Sequence, residues 1–349
     1  MSCRACGVTV IEGEDNMKTV AAVVATLLGT ASFAHAETLV FAHGFQPAHV
    51  VFAHGVEPWM ECVAQKGEGR VTFTHFPGGQ ISTHPAAIDS LNSGVAQVSA
   101  VILSYVSEKM PLNGVTLLPD MGNSSVEMVT AYRKALDEGG PLLEEYHQNQ
   151  LQPILVNLLP PYQFLSGVGV VDTVEKFRNL KASIGGGSQL MMAESMGTSP
   201  VYITAADMYV AMQRKTVDGT FLTLASAKPY SLTEVMNAVS ANGSFGSGAS
   251  VISMDKATYD GLAPESRELL DDCGREAEMA LARHGDAENE RLKTELAAMG
   301  IEVYEFSPET LTEISALMAD VADHYVARIE QLGRPGSEAL QSYRAALGR

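Results

Sequence analysis

Residues 69–103 read GRVTFTHFPGGQISTHPAAIDSLNSGVAQVSAVIL, and this stretch decides the fold. Arg70–Phe76 alternates, with Val71, Phe73 and His75 set against Thr72, Thr74 and Phe76, the period-two signature of a strand. Pro77-Gly78-Gly79 closes it, because proline ends the ladder and the glycines supply turn conformations. Pro85–Asn92 then reads as a helix stopped before Gly94, and Gln97–Leu103 is a short apolar run, a further strand. Upstream the same alternation holds. Thr38–His43 reads as a strand, a loop runs through Pro47, and a helix covers Val51–Gln65. A βαβαβ opening predicts a largely parallel sheet with helices on both faces, so the fold class is α/β.

A second series follows. Pro153–Leu159, Lys181–Ile184, Val201–Ile203 and Thr216–Leu222 are strand candidates, with helices such as Ala206–Arg214 between them. Pro264 at a helix start and Gly300 just past an end bracket one long polar–apolar pattern. Leu269, Leu270, Cys273, Ala277, Ala280, Leu281 and Leu292 are its expected buried side. A helix of that length can pack across two halves of a protein. Pro308–Leu332 reads as another helix. Phe-Ala-His-Gly recurs at 41–44 and 52–55, but the copies fall in different predicted elements, and no repeat of 20–50 residues is present.

Met17–Ala36, MKTVAAVVATLLGTASFAHA, reads as a secretory signal peptide. Lys18 gives the positive start, Val20–Leu28 the apolar segment and Ala34-His35-Ala36 the cleavage site. The expected start is Met17, with residues 1–16 an upstream extension, and the expected product begins at Glu37 in the periplasm. No later stretch approaches the ~20 apolar residues of a transmembrane helix. A net charge of −18 argues against nucleic acid and anionic membrane surfaces. Cys3 and Cys6 form a C-x-x-C within the segment to be removed. Cys62 and Cys273 remain, either as one disulfide in an oxidising compartment or as two separate thiols.

Catalytic signatures are missing after Ala36: no G-x-S-x-G, H-E-x-x-H, phosphate-binding G-x-x-x-x-G-K or complete G-x-G-x-x-G occurs. Gly185-Gly186-Gly187-Ser188 starts like a phosphate loop, yet Leu190 stands where a dinucleotide-fold glycine would. His43, His49, His54, His75 and His84 crowd one region. His49 and His54, five apart, fall on different faces of a helix, so neither a metal site nor a cofactor is expected.

Several segments carry a family resemblance. TLVFAHGFQPAH at 38–49 is followed by GRVTFTHFPGGQIS at 69–82, similar to a strand ending F-P-x-x-Q-L-G. LNSGVAQVS at 91–99 and YVSEKMPLNGVTLLPDM at 105–121 come next. VEKFRNLKASIGG at 174–186 is similar to P-E-D-L-K-G-L-K-I-R-V-P, and MYVAMQRKTVDG at 208–219 to V-Y-x-A-L-Q-x-G-x-V-D-G. In this order, behind a signal peptide, they resemble the DctP-like solute receptors of tripartite ATP-independent periplasmic (TRAP) transporters. The resemblance implies a two-domain clamshell with mainly parallel sheets and a long helix spanning both domains. Residues 37–160 and 248–288 would form domain I, and 161–247 and 289–349 domain II. It also implies a small organic solute and a TRAP membrane permease as partners, and no enzymatic activity. Arg334–Arg349 is a candidate partner-binding element.

Ligands of open α/β sheets lie beyond the carboxyl ends of the strands. The candidate ligand-binding residues are therefore His43, Phe45, Gln46, Ser104, Tyr105, Tyr162, Ser183, Gly185, Gly186 and Phe221. The resemblance also exposes a departure. Aligning Leu180-Lys181 with the family's L-K puts Ser183 where an arginine clamps a substrate carboxylate. Tyr162 stands at a second family arginine, and Phe221-Leu222-Thr223 replaces an acid-amide-proline. A buried carboxylate without a partner costs several kcal/mol. Two readings stay open. The solute is a neutral or cationic molecule, met by the aromatic faces of Phe45, Tyr162 and Phe221 and by Asp120 or Asp207. Alternatively it is an organic acid held by backbone N–H groups near Gly185–Gly187. A secreted α/β enzyme is the remaining alternative. Trp59 is expected in the core, and Phe45 either under its loop or at the ligand.

Overall fold

Two sheets organise the residues that the computed structural model describes, 36–349. Ala36 apart, the expected signal peptide lies outside the described residues, as do Cys3 and Cys6. The first sheet has the order β2-β1-β3-β10-β4, with β1 at Glu37–Ala42, β2 at Val71–Phe76, β3 at Val98–Ile102, β4 at Leu151–Leu158 and β10 at Ala249–Asp255. The second runs β11-β9-β5-β8-β6-β7, with β5 at Gln163–Ser166, β6 at Lys181–Ile184, β7 at Ser199–Tyr202, β8 at Gly219–Leu222, β9 at Ala238–Ser240 and β11 at Glu302–Tyr304.

The βαβαβ opening is present: β1 lies parallel to β2 from Glu37↔Val71 to Ala42↔Phe76, and parallel to β3 at Phe41↔Val98. Both sheets are nevertheless mixed, with five of nine pairings parallel. The antiparallel ones come from strands that cross between sheets. β10 returns after β5–β9 have been laid down and slots between β3 and β4, opposite in direction to each. Its sequence, ASVISMD, is buried on both faces over six residues, and so lacks the alternation that marks a half-exposed strand.

The expected helix at Val51–Gln65 is a π turn, Phe52–Val56, running into an α-helix, Glu57–Gly67. Pro58 explains the change. It has no N–H for the usual i−4 carbonyl, and the Glu57 N–H bonds to the Phe52 carbonyl one residue further back. The long helix spans Pro264–Ala298. It packs on β4 and the first helix, then on Leu224–Ser226 and β11, and so touches elements of both sheets. Of its expected buried side, Ala280 is exposed, and Glu278 is buried instead because Arg133 reaches it. Trp59 is fully buried, and its indole N–H donates to the Leu270 carbonyl at 3.1 Å. Among the described residues no helix is long and apolar enough to cross a membrane.

Cys62, on the first helix, and Cys273, on the long one, are joined in a disulfide across 211 residues of sequence. Closing so long a loop restricts the unfolded chain. Replacing both cysteines with serine is expected to cost about 3–5 kcal/mol. Identical urea midpoints for the parent and the double variant would contradict this.

Candidate functional site

Three adjoining cavities occupy the space beyond the carboxyl ends of β1, β3, β4, β6, β7 and β8. The outer one, about 640 Å³, is bordered by Gly44, Gln46, Gly78 and His84 on one side and by Thr204, Ala205, Tyr209, Tyr230 and Glu234 on the other. An inner chamber of about 70 Å³ is lined by Phe45, His49, Ser104, Tyr105, Tyr162, Leu222 and Tyr230, among others. The innermost, about 30 Å³, reaches Ser183, Gly185, Gln189 and Phe221. Tyr105 and Ala205 border all three, so the space forms one tapering cleft.

Local sequence explains the wall after β1. His43 Nδ1 accepts the Phe45 N–H at 3.1 Å, Gly79 N–H donates to the His43 carbonyl at 2.9 Å, and Gly78 N–H to the Phe45 carbonyl at 3.0 Å. The Pro77-Gly78-Gly79 turn is thereby stitched to the loop, with Gly78 and Gly79 at φ +66° and +79°, conformations suited to glycine. A Cβ on Gly44 would lie 2.8 Å from the His84 ring, so glycine there lets His84 reach the cleft.

His43 itself is buried and does not border the cavities. Because its Nδ1 accepts, its Nε2 carries the proton and donates to His75 Nε2, 2.9 Å away. Its role is to hold the loop. Phe45 lies under that loop and also lines the chamber, edge-on to His84 with centroids 4.6 Å apart and stacked on His49 at 4.8 Å. The Tyr105 hydroxyl accepts the Ala205 N–H at 3.2 Å, a bond across the cleft.

Gly185 N–H is already occupied by Gln189 Oε1 at 2.7 Å. Cβ atoms on Gly186 or Gly187 would meet Ser104 and Ser107 at 3.1–3.2 Å, so the glycine run is a close contact between the two sides of the cleft. The Phe221 ring is 1% exposed and packs against Phe164 and Phe245, each 5.0 Å away, which gives it to an aromatic core rather than an open face. Asp207 accepts from Thr204 Oγ1 and Asp120 from Ser315 Oγ, and neither borders any of the three cavities. His49, His84, Tyr209, Tyr230 and Glu234 were not among the expected ligand residues. The histidine crowding pointed to the first two, and Tyr209 lies on the expected helix, at Met208–Gln213, while Tyr230 and Glu234 lie among short helical turns without periodicity.

The electrostatics are unusual for so polar a lining. No lysine or arginine borders any of the three cavities, and Glu234 is the one carboxylate. Burial lowers His49 to about 3, with nearby His84 adding to the effect. Burial lowers His84 to about 4, opposed by the Ala100 carbonyl. Burial raises the phenols of Tyr105, Tyr162 and Tyr230. At neutral pH these groups are uncharged.

A sequence profile of the bacterial extracellular solute-binding protein family 7, DctP, matches residues 41–328. The chain belongs to this family. This DctP-family receptor is 25% identical over 333 residues to the outer membrane transporter protein TsaT of Comamonas testosteroni, covering 93% of this chain and 96% of that one. Its fold is similar to that of a TRAP solute binding protein from Rhodoferax ferrireducens T118 in complex with copurified benzoate, with TM-score 0.81, 23% identity, and coverage of 89% of this chain and 97% of that one. A TRAP periplasmic solute binding protein from Bordetella bronchiseptica with bound (R)- and (S)-mandelate gives 0.80, 20% identity, and coverage of 89% and 98%. The DctP-family fold is the expected two-domain α/β architecture of periplasmic binding proteins.

Proposed function

We propose that this protein is the periplasmic receptor of a TRAP-type transporter for a small organic solute without net negative charge. The solute is enclosed between the two sides of the cleft and delivered to a membrane permease, without chemical change. One observation carries the choice of solute: the lining has aromatic faces, hydroxyls and neutral imidazoles, but no lysine or arginine. Ser183, at the position where the family resemblance expects an arginine, is 1% exposed and supplies only a hydroxyl beside the Ile203 carbonyl. A carboxylate enclosed here would lose its water without gaining a cation. The domain limits 37–160 with 248–288 and 161–247 with 289–349 belong to the same proposal.

A second reading is an organic acid, favoured by the benzoate and mandelate bound to the two similar receptors. It would depend on the N–H groups of Gly186 and Gly187, since that of Gly185 is taken. Thermal unfolding against matched acids, amides, alcohols and amines separates the two. A ligand at ~100 times its dissociation constant adds ~2.7 kcal/mol. Stabilisation by uncharged or cationic members and not by acids is the expected result. Selective stabilisation by plain carboxylates would sink the first reading and support the second.

A further inference from the structure

We infer that the inner chamber grips its solute by a hydroxyl or an amide, hydrogen-bonded to the Nε2–H of His49 and the phenol of Tyr162. The inference rests on the receptor reading above and narrows it from non-anionic to uncharged. His49 is 4% exposed and lies between Phe45, stacked at 4.8 Å, and Tyr230, whose ring centroid is 5.8 Å away. Its Nδ1 accepts the Val51 N–H at 3.2 Å. A neutral imidazole that accepts on one nitrogen carries its proton on the other, so Nε2 is a donor of fixed direction. With Nδ1 turned to the backbone, the Nε2 edge is the one left for the chamber that His49 lines. Among the described residues Nε2 has no acceptor, and it is not sealed from the chamber.

Tyr162 is in the same position. Its hydroxyl lies so close to Gly248 that a Cβ there would come within 2.2 Å, and it has no hydrogen-bond partner among the described residues although it is not sealed off. Open to the chamber, both atoms can bond water in the free protein, so a solute that displaces that water must replace the bonds or leave two buried groups unsatisfied. A donor at His49 and a donor–acceptor at Tyr162 match a group that both accepts and donates. Charge is what the chamber does not offer. The ionisable groups near His49 are His43 and His84, from the loop after β1 and the turn before Pro85, and Tyr105, Tyr162 and Tyr230 around the chamber. Burial keeps the two imidazoles neutral at pH 7, and the phenols, raised further from their ordinary 10, are neutral as well. Glu234 borders only the outer cavity.

Two isosteric substitutions isolate the donor. His49→Asn keeps an acceptor near Nδ1 and loses the donor, whereas His49→Gln places an amide N–H near Nε2. The probes are benzyl alcohol, benzamide, benzylamine and benzoate, titrated into the purified protein at about pH 6 and about pH 8. The expected result is binding of the alcohol or the amide with the same affinity at both pH values. That affinity should fall ~10-fold in His49→Asn and stay within ~3-fold in His49→Gln. Preference for benzylamine or benzoate would overturn the inference, as would equal losses in the two variants. So would benzoate affinity that rises ~10-fold per unit fall in pH, the sign of an imidazolium–carboxylate pair. Benzoate binding would leave the receptor reading standing. Failure of every probe, together with failure of the wider thermal screen, would remove both.

Discussion

Urea unfolding of this protein is expected to become much easier between pH 7.5 and pH 5. His43 and His49 are lowered from the ordinary 6.5 to about 3 and His84 to about 4, in each case chiefly by burial. A folded-state value below the unfolded one means that unfolding takes up protons. The stability from keeping these rings neutral is therefore complete above about pH 6.5 and is lost as the pH falls toward the folded values. At pH 5 each ring forfeits about 2 kcal/mol, and the three together about 4–6 kcal/mol after allowing for their mutual coupling. That is a large part of the ~5–15 kcal/mol that holds a typical domain folded. Two groups oppose the trend, because burial raises Glu145 and Asp271, which favours the folded state as they protonate. The net acid loss should still appear as a midpoint that falls steadily from pH 7 to pH 5. A flat profile over that range would show that the rings are open to water.

The second large effect concerns Arg133 and Glu278. Glu278 is 2% exposed in the middle of the long helix, facing β4. Arg133 Nε and Nη2 approach its carboxylate at 3.0 and 2.7 Å, and Nη2 also donates to the Ile154 carbonyl at 2.9 Å. The Val156 N–H completes the set at 3.0 Å. A buried pair of this kind adds little net stability over an apolar pair of similar volume, but removing one member strands the other. Arg133→Met is expected to cost about 3–5 kcal/mol. Adding Glu278→Leu should recover most of that loss, short by about 1–2 kcal/mol for the unpartnered Ile154 and Val156 backbone groups. Urea denaturation of the single and double variants measures both terms, and additive losses would contradict the account.

These two cases show where sequence reading succeeds and where it stops. Lys181–Ile184 was legible as a strand, and Pro264 and Gly300 as helix punctuation, because each rests on local periodicity or local backbone chemistry. The buried face of the long helix was legible at Leu270 and Cys273 but not at Ala280 or Glu278. The difference there is made by Arg133, 145 residues away in sequence. β10, like β3, is buried on both faces and has no period to read, and Ser250 and Ser253 also break the apolar run by which β3 was recognised. At the site, Phe45, Gln46, Ser104, Tyr105, Tyr162 and Ser183 follow from the rule that ligands lie beyond strand ends, and all border the cleft. Phe221 obeys the same rule and borders the innermost cavity, but its ring packs in the aromatic core against Phe164 and Phe245. The histidines were visible as a cluster. Their separate roles depend on which nitrogen each backbone N–H engages, and that is a property of the folded loop.

The most direct test of an uncharged solute is calorimetric titration of benzoate and of benzyl alcohol at about pH 8. Each should be run in two buffers of different ionisation enthalpy. The account predicts no saturable benzoate heat at concentrations up to the ~mM range and a one-site isotherm for the alcohol that is the same in both buffers. Tight one-site binding of benzoate, with no proton taken up, would contradict it: a carboxylate would then be held in this cleft without a cation.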